Sequence, residues 1–285
     1  MLRLDRIHPT LLVLAGIASV QFGAALAKSL FDEIGPGGTV LLRVTLAALV
    51  LAAFWRPSAR GRSGSDWRLL AAFGLSLAAM NLCFYESLHR IPLGIAVTFE
   101  FVGPLGVAIA GSRRALDLAW VLLAVAGIVL LSDFGNANLD GLGMALALVA
   151  GGFWAAYILL SVRVGRRFPG GGGLALAMVL AAVMLVPVGL ADAGADLLVP
   201  WIVAAGLAVA ILSSAIPYTL EMEALRRLPA GVFGVLMSIE PAMAALAGFI
   251  VLDEGLATRE LVAILLVVAA SAGAARNAHV PPRDA

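Results

Sequence analysis

Glu86-Ser-Leu88-His-Arg90-Ile-Pro92-Leu-Gly94 is answered further along the chain by Glu223-Ala-Leu225-Arg-Arg227-Leu-Pro229-Ala-Gly231, an offset of 137 residues. The same offset carries Pro104 onto Pro241 and Gly111 onto Gly248 without a gap, and nine of 26 positions across residues 86–111 are identical at that shift. Chance matches of Ala, Leu and Gly are common in apolar sequence. A Glu, an Arg and two prolines in register are not, so the chain reads as one unit written twice.

The surroundings of both copies are strongly apolar. Of 285 residues, 62% are hydrophobic and only 13% charged, with a mean hydropathy of +1.02. A soluble domain carries about 45–50% apolar and about 25% charged residues. This composition excludes a soluble enzyme, a disordered tail and a nucleic-acid binder, and it implies an integral membrane protein whose first partner is the lipid bilayer. The net charge of +1 implies no strongly basic or acidic partner. Cys83 is the one cysteine, which excludes a disulfide within the chain. His8, His89 and His279 fall in tails or short loops, so no histidine metal site is expected.

A bilayer core of about 30 Å needs roughly 20 apolar residues as a helix, the one single-segment structure that satisfies its own backbone there. Ten runs qualify, at about 9–27, 36–55, 67–88, 92–111, 116–132, 141–160, 173–191, 199–220, 229–251 and 257–275. The expected fold is all-α with ten transmembrane helices. With the N-terminus inside, fifteen arginines fall in cytoplasmic segments against Lys28, Arg90 and Arg259 outside; Arg43, within a span, completes the 19. Basic residues are retained on the cytoplasmic side, so both termini are expected there. Ala25-Leu26-Ala27 resembles a signal cleavage site, but the preceding run of about 19 residues exceeds the 7–15 of a signal core.

Ten helices in two copies make two five-helix halves, expected at residues 9–132 and 141–275. Five is odd, so the second half enters the membrane inverted. Inverted repeats around a central site are a recurrent plan of secondary transporters. A duplicated structural bundle without transport is the bland alternative.

Ionisable groups inside spans are costly, about 2.5–3.5 kcal/mol at a helix centre. Arg43, Glu100 and Glu240 are therefore singled out, with Glu86 in the last turn of its run. At 1.5 Å per residue, Gln21, Arg43, Asn81 and Glu100 each fall roughly 10–12 Å below the outer surface, on four helices. Such a level suggests a shared cavity. Arg43 suits a substrate carboxylate, or alternatively an ion pair with Glu100. Pro104 follows Glu100 by four residues and Pro241 follows Glu240 directly, so each frees a carbonyl nearby. Glu100 and Glu240 are the candidate proton carriers, with a hydrogen-bonded structural carboxyl as the alternative for Glu240. Trp154 and Tyr157, three apart on one helix face, are candidate contacts together with Tyr85 and Tyr218; packing is the alternative for each. Pro92, Pro104, Pro229 and Pro241 are the candidate helix breaks. No GxxxxGK[ST], HExxH or GxSxG motif occurs, so neither ATP hydrolysis nor another enzymatic reaction is expected, and no cofactor is implied.

Several stretches are familiar. Ala18-Ser-Val-Gln21 through Ala25-Leu-Ala-Lys28-Ser-Leu-Phe31, Met80-Asn81 with Phe84-Tyr85, and Ile91-Pro92-Leu-Gly-Ile-Ala96 resemble the inner-membrane threonine/homoserine exporter family. So do Glu100-Phe with Gly103-Pro104, Ser112-Arg113-Arg114, Trp154-Ala with Tyr157-Ile-Leu, Pro217-Tyr218 with Leu220-Glu221-Met, Arg227-Leu-Pro229, and Met237-Ser with Glu240-Pro241-Ala. That family belongs to the drug/metabolite transporter superfamily with its duplicated EamA domain. The resemblance spans residues 10 to 275. It implies ten helices, export of small amino acids such as threonine and homoserine, coupling to protons, and a monomer or loose homodimer. Phe22 stands where the family carries a small residue and Glu86 where an apolar one is usual. The same fold exporting another metabolite or drug, and a non-transporting scaffold, are the competing readings.

Overall fold

The structure is a computed structural model describing residues 7–110, 115–131, 140–168, 170–217, 220, 224 and 236–277. Helices α1 (Pro9–Lys28), α2 (Phe31–Trp55) and α3 (Gly64–Leu88) lead to the short pair α4 (Leu93–Glu100) and α5 (Val102–Ala110). Next come α6 (Ala115–Leu131), α7 (Gly141–Arg167) and α8 (Gly172–Ala193). A 3-10 turn (Gly194–Leu198) enters α9 (Pro200–Ala210), which runs into a π turn (Ile211–Ala215); α10 (Glu240–Leu252) and α11 (Thr258–Asn277) follow. Each of the ten apolar runs is helical over most of its described residues, with Phe101, Ser238 and Ile239 interrupting two of them, and no strand occurs among the described residues.

Five stretches are long and apolar enough to cross a bilayer: Pro9–Lys28, Phe31–Trp55, Gly64–Leu88, Gly141–Arg167 and Gly172–Leu198. Leu93–Val107, Ala119–Leu130, Pro200–Ala215 and Glu240–Leu252 are shorter apolar helices. Large side chains such as Phe54, Leu122, Val183, Phe249 and Leu265 point outward and are more than half exposed. Water would penalise so broad an apolar surface and lipid does not. The chain is a membrane protein.

Helix ends follow their sequence signals. Pro9 opens α1 behind His8, whose Nδ1 accepts the Thr10 N–H. Ser63 and Asp66 form a reciprocal capping box at α3, and Asp140 caps α7 by accepting from Leu142 and Gly143. Helix α2 departs from the expected start at 36: a turn of helix precedes it, broken at Gly35, whose φ of +65° and ψ of 169° suit glycine. Pro36 restarts the helix. The Gly37 N–H exposed by the restart donates to Asp192 Oδ2 from the end of α8, at 2.8 Å.

Two prolines interrupt their helices at matched places. The α4–α5 helix breaks at Phe101, three residues before Pro104; the helix entering α10 breaks at Ser238 and Ile239, and Ser238 lies three residues before Pro241. Proline cannot donate to the carbonyl four residues back.

The helices pack through small residues. α2 lies along α8, α4 against α10, and α6 against α11, while α3 contacts both α7 and α8. α1 touches α10 on one side and α9 with its π turn on another. The closest approach is at Gly103 and Gly151, where a methyl group on Gly103 would overlap the Gly151 backbone and one on Gly151 the Glu100 carbonyl. This crossing joins α5 to α7 directly below Glu100. The main core runs from Ala24 and Phe31 through Tyr85, Phe99 and Ala150 to Ala247 and Ala263.

Candidate functional site

Arg43 is half-buried on α2, where its Nη1 donates to Tyr85 Oη of α3 at 3.0 Å. The guanidinium carbon also lies 5.4 Å from the Tyr85 ring centroid, a cation–π arrangement. Tyr85 is fully buried and held by Phe31 at 5.7 Å and Phe84 at 6.2 Å between ring centroids. The phenol therefore fixes the orientation of a planar fork whose five N–H donors match a carboxylate.

Glu100 ends α4, 7% exposed, within electrostatic reach of Arg43. Its peptide carbonyl loses the usual donor because residue 104 is proline, and the Gly151 backbone lies against that carbonyl. Arg43, Tyr85 and Glu100 thus gather from three helices. Asn81 is buried on α3, with Nδ2 donating to the Leu77 carbonyl one turn back at 2.7 Å, so that donor serves its own helix. Gln21 is buried on α1, and its Oε1 has no hydrogen-bond partner. Glu240 is buried in the first turn of α10 beside Pro241, with Ser238 buried just before it.

The aromatic candidates on α7 separate by partner. Trp154 meets Phe101 edge-on at 5.5 Å, at the α4–α5 break, and Tyr157 stacks on Phe73 of α3 at 5.2 Å. Both are half-buried. Pro92 caps α4, while Pro104 and Pro241 follow the two breaks. Tyr218 and Pro229 lie outside the described residues.

Charge is organised at the two ends of the bundle. At one end, Lys28 Nζ donates to Glu254 Oε1 at 2.6 Å and to the Ile91 carbonyl at 3.1 Å, while Glu254 Oε2 accepts the Leu93 N–H at 2.8 Å. One carboxylate thereby ties the end of α1, the start of α4 and the segment after α10. Beside it opens a cleft of about 500 Å³, lined among others by Phe31, Pro36, Glu86, His89, Arg90 and Asp192. Glu86 is ion-paired with Arg90 at 2.5 Å in that mouth. At the other end Arg167 bridges to Asp66, and Arg62 lies over the Phe168 ring at 4.8 Å. Hydrogen bonds from Ser63 hold the Asp66 carboxyl below its ordinary pKa of 3.8, with Arg167 adding to the effect.

Sequence reasoning missed Ser213 and Ser214, buried on the π turn at 3% and 1% exposure. The signal available was a Ser-Ser pair inside an apolar run, placed four and three residues before Pro217. It also missed the clasping roles of Asp192 and Glu254, for which the sequence carries no local sign.

Known proteins bear on this arrangement. Residues 141–276 match the EamA-like transporter family. The threonine/homoserine exporter RhtA of Salmonella typhimurium strain LT2 is 46% identical over 96% of this chain and 94% of its own length. The exporter of the same name from Escherichia coli strain K12 is 47% identical over 93% of this chain and 90% of its own. The chain belongs to the EamA-like transporter family. An uncharacterized transporter of Archaeoglobus fulgidus is a more distant relative, 27% identical over 78% of this chain and 81% of its own. A solved crystal structure superposes with a TM-score of 0.62 at 20% identity, covering 94% of this chain and 97% of that one, a likeness of fold. The expected family is thus borne out, and with it a membrane transporter.

Proposed function

We propose that the chain is a secondary-active exporter of small amino acids of the threonine and homoserine type, located in the inner membrane and coupled to protons. The observation that carries this reading is identity of 46–47% along nearly the full length of relatives named as threonine/homoserine exporters. In this reading Arg43, oriented by Tyr85, receives the substrate carboxylate. Gln21 and Asn81 meet its polar remainder, and Trp154, Tyr157 and Tyr218 shape the space. Glu100 or Glu240 carries the proton or meets the ammonium group. The breaks before Pro104 and Pro241, with Pro92 at the start of α4 and Pro229 at the start of its apolar run, let segments reorient. The unit works as a monomer or loose homodimer with both termini cytoplasmic.

Alternating access follows if residues 9–132 and 141–275 are inverted copies. Helix pairing supports that: the equivalent pairs α2 with α8 and α4 with α10 are in contact, and the two proline breaks fall at equivalent positions. An in-plane two-fold axis would produce both.

Purified protein in liposomes, given labelled threonine and an imposed pH gradient, tests the reading. Gradient-dependent flux is expected, lost on dissipating the gradient and reduced at least tenfold in Arg43→Ala. A protein that moves no amino acid under any gradient overturns it. If Arg43→Ala and Glu240→Gln both transport normally, the residue assignments fail while the activity stands.

A further inference from the structure

The π turn Ile211–Ala215 sits in the middle of an apolar helix and has a local cause. Pro217 offers no N–H to the Ser213 carbonyl, and the Ile216 N–H reaches back five residues to Ile211 instead. The widened turn is pinned to α1, where Ser19 Oγ donates to the Leu212 carbonyl at 2.7 Å. Ser213 lies against Gly23, one turn further along the same face of α1, where any side chain would displace it. Ser213 and Ser214 are both more than nine-tenths buried, yet neither hydroxyl has a hydrogen-bond partner.

Serines in apolar helices ordinarily satisfy themselves on the carbonyl of the preceding turn. Two adjacent hydroxyls left open at membrane depth carry a free-energy penalty that alanines of nearly the same volume would avoid. A purely structural helix has no use for them. Two hydroxyls in succession offer both a donor and an acceptor over a short length of helix. That suits a partner that is itself a hydroxyl.

We propose that Ser213 and Ser214 bind the side-chain hydroxyl of the transported amino acid and set a preference for hydroxyl-bearing over aliphatic substrates. The inference rests on amino-acid export as the activity. Threonine carries its hydroxyl on the third carbon and homoserine on the fourth, and an aliphatic side chain such as that of valine offers none. In this inference the hydroxyl goes to the serines and not to Gln21, which lies about 200° around α1 from both Ser19 and Gly23 and so faces away from the π turn.

The test compares threonine, homoserine and valine, in which a methyl replaces the threonine hydroxyl, for the parent and the Ser213→Ala/Ser214→Ala double variant in liposomes. The expected result is a three- to tenfold rise in apparent KM for threonine and homoserine, with valine unchanged or improved. Thermal unfolding of the unliganded double variant is expected at or above the parent's temperature, because open hydroxyls have been removed. If all three substrates shift together, or the variant melts earlier and transports all three alike, the serines are structural and the inference is overturned. If the parent carries threonine but its threonine-to-valine ratio is unmoved by the double substitution, this inference alone falls. A parent that carries no amino acid overturns the export reading itself.

Discussion

Arg43 and Tyr85 join α2 to α3 through a side-chain hydrogen bond, and the two are not equivalent. The guanidinium supplies charge, whereas the phenol supplies aim through one hydrogen bond and its ring face. Tyr85→Phe keeps the packing with Phe31 and Phe84 and deletes only the hydroxyl. It is expected to raise the apparent KM for threonine about three- to tenfold while leaving maximal flux nearly unchanged, measured in the same liposome assay. Equal loss of both parameters would show that Tyr85 does more than orient. Arg43 was legible in the sequence because a lone basic residue inside an apolar run is conspicuous. Ser213 and Ser214 were not, because serine in a helix is usually silent and their open hydroxyls exist only through tertiary packing.

Helical elements were legible to the extent that their signals are local. Apolar run lengths located the helices, and Pro104 and Pro241 marked two breaks. The Gly35 break in α2 was not read, since Asp192, which accepts the Gly37 N–H after it, lies 155 residues from Gly37. A separation of 161 residues likewise hides the capping of α4 by Glu254. At the start of α3 the cap is local, and its pH dependence has a definite sign. Asp66 titrates lower in the folded protein than its ordinary 3.8, so its contribution is present above that pH and is lost as pH falls through the folded value. Asp66→Asn is therefore expected to unfold at a lower temperature than the parent at pH 7, with the gap closing below about pH 4. Thermal scans of both proteins in detergent across that range check it.

Across the whole molecule, the Lys28–Glu254 clasp ties three segments distant in the chain at one end of the bundle. Its side chains are 21% and 15% exposed, so the pair is partly shielded from water. Lys28→Ala and Glu254→Ala should each destabilise by about 1–2 kcal/mol, and the double variant by little more than the worse single one. Additive losses would show that Glu254 acts through Leu93 alone.

The contact between Gly103 and Gly151 carries a mechanical consequence for the whole transporter. Interdigitated side chains must be pulled apart before two rods can roll, whereas bare main chain meeting bare main chain presents nothing to unlatch. The crossing holds α5 and α7 close through main chain, with the Phe101–Trp154 ring contact beside it. Bulk added there, as in Gly151→Val, would force the rods apart and shift the Glu100 carboxylate with them.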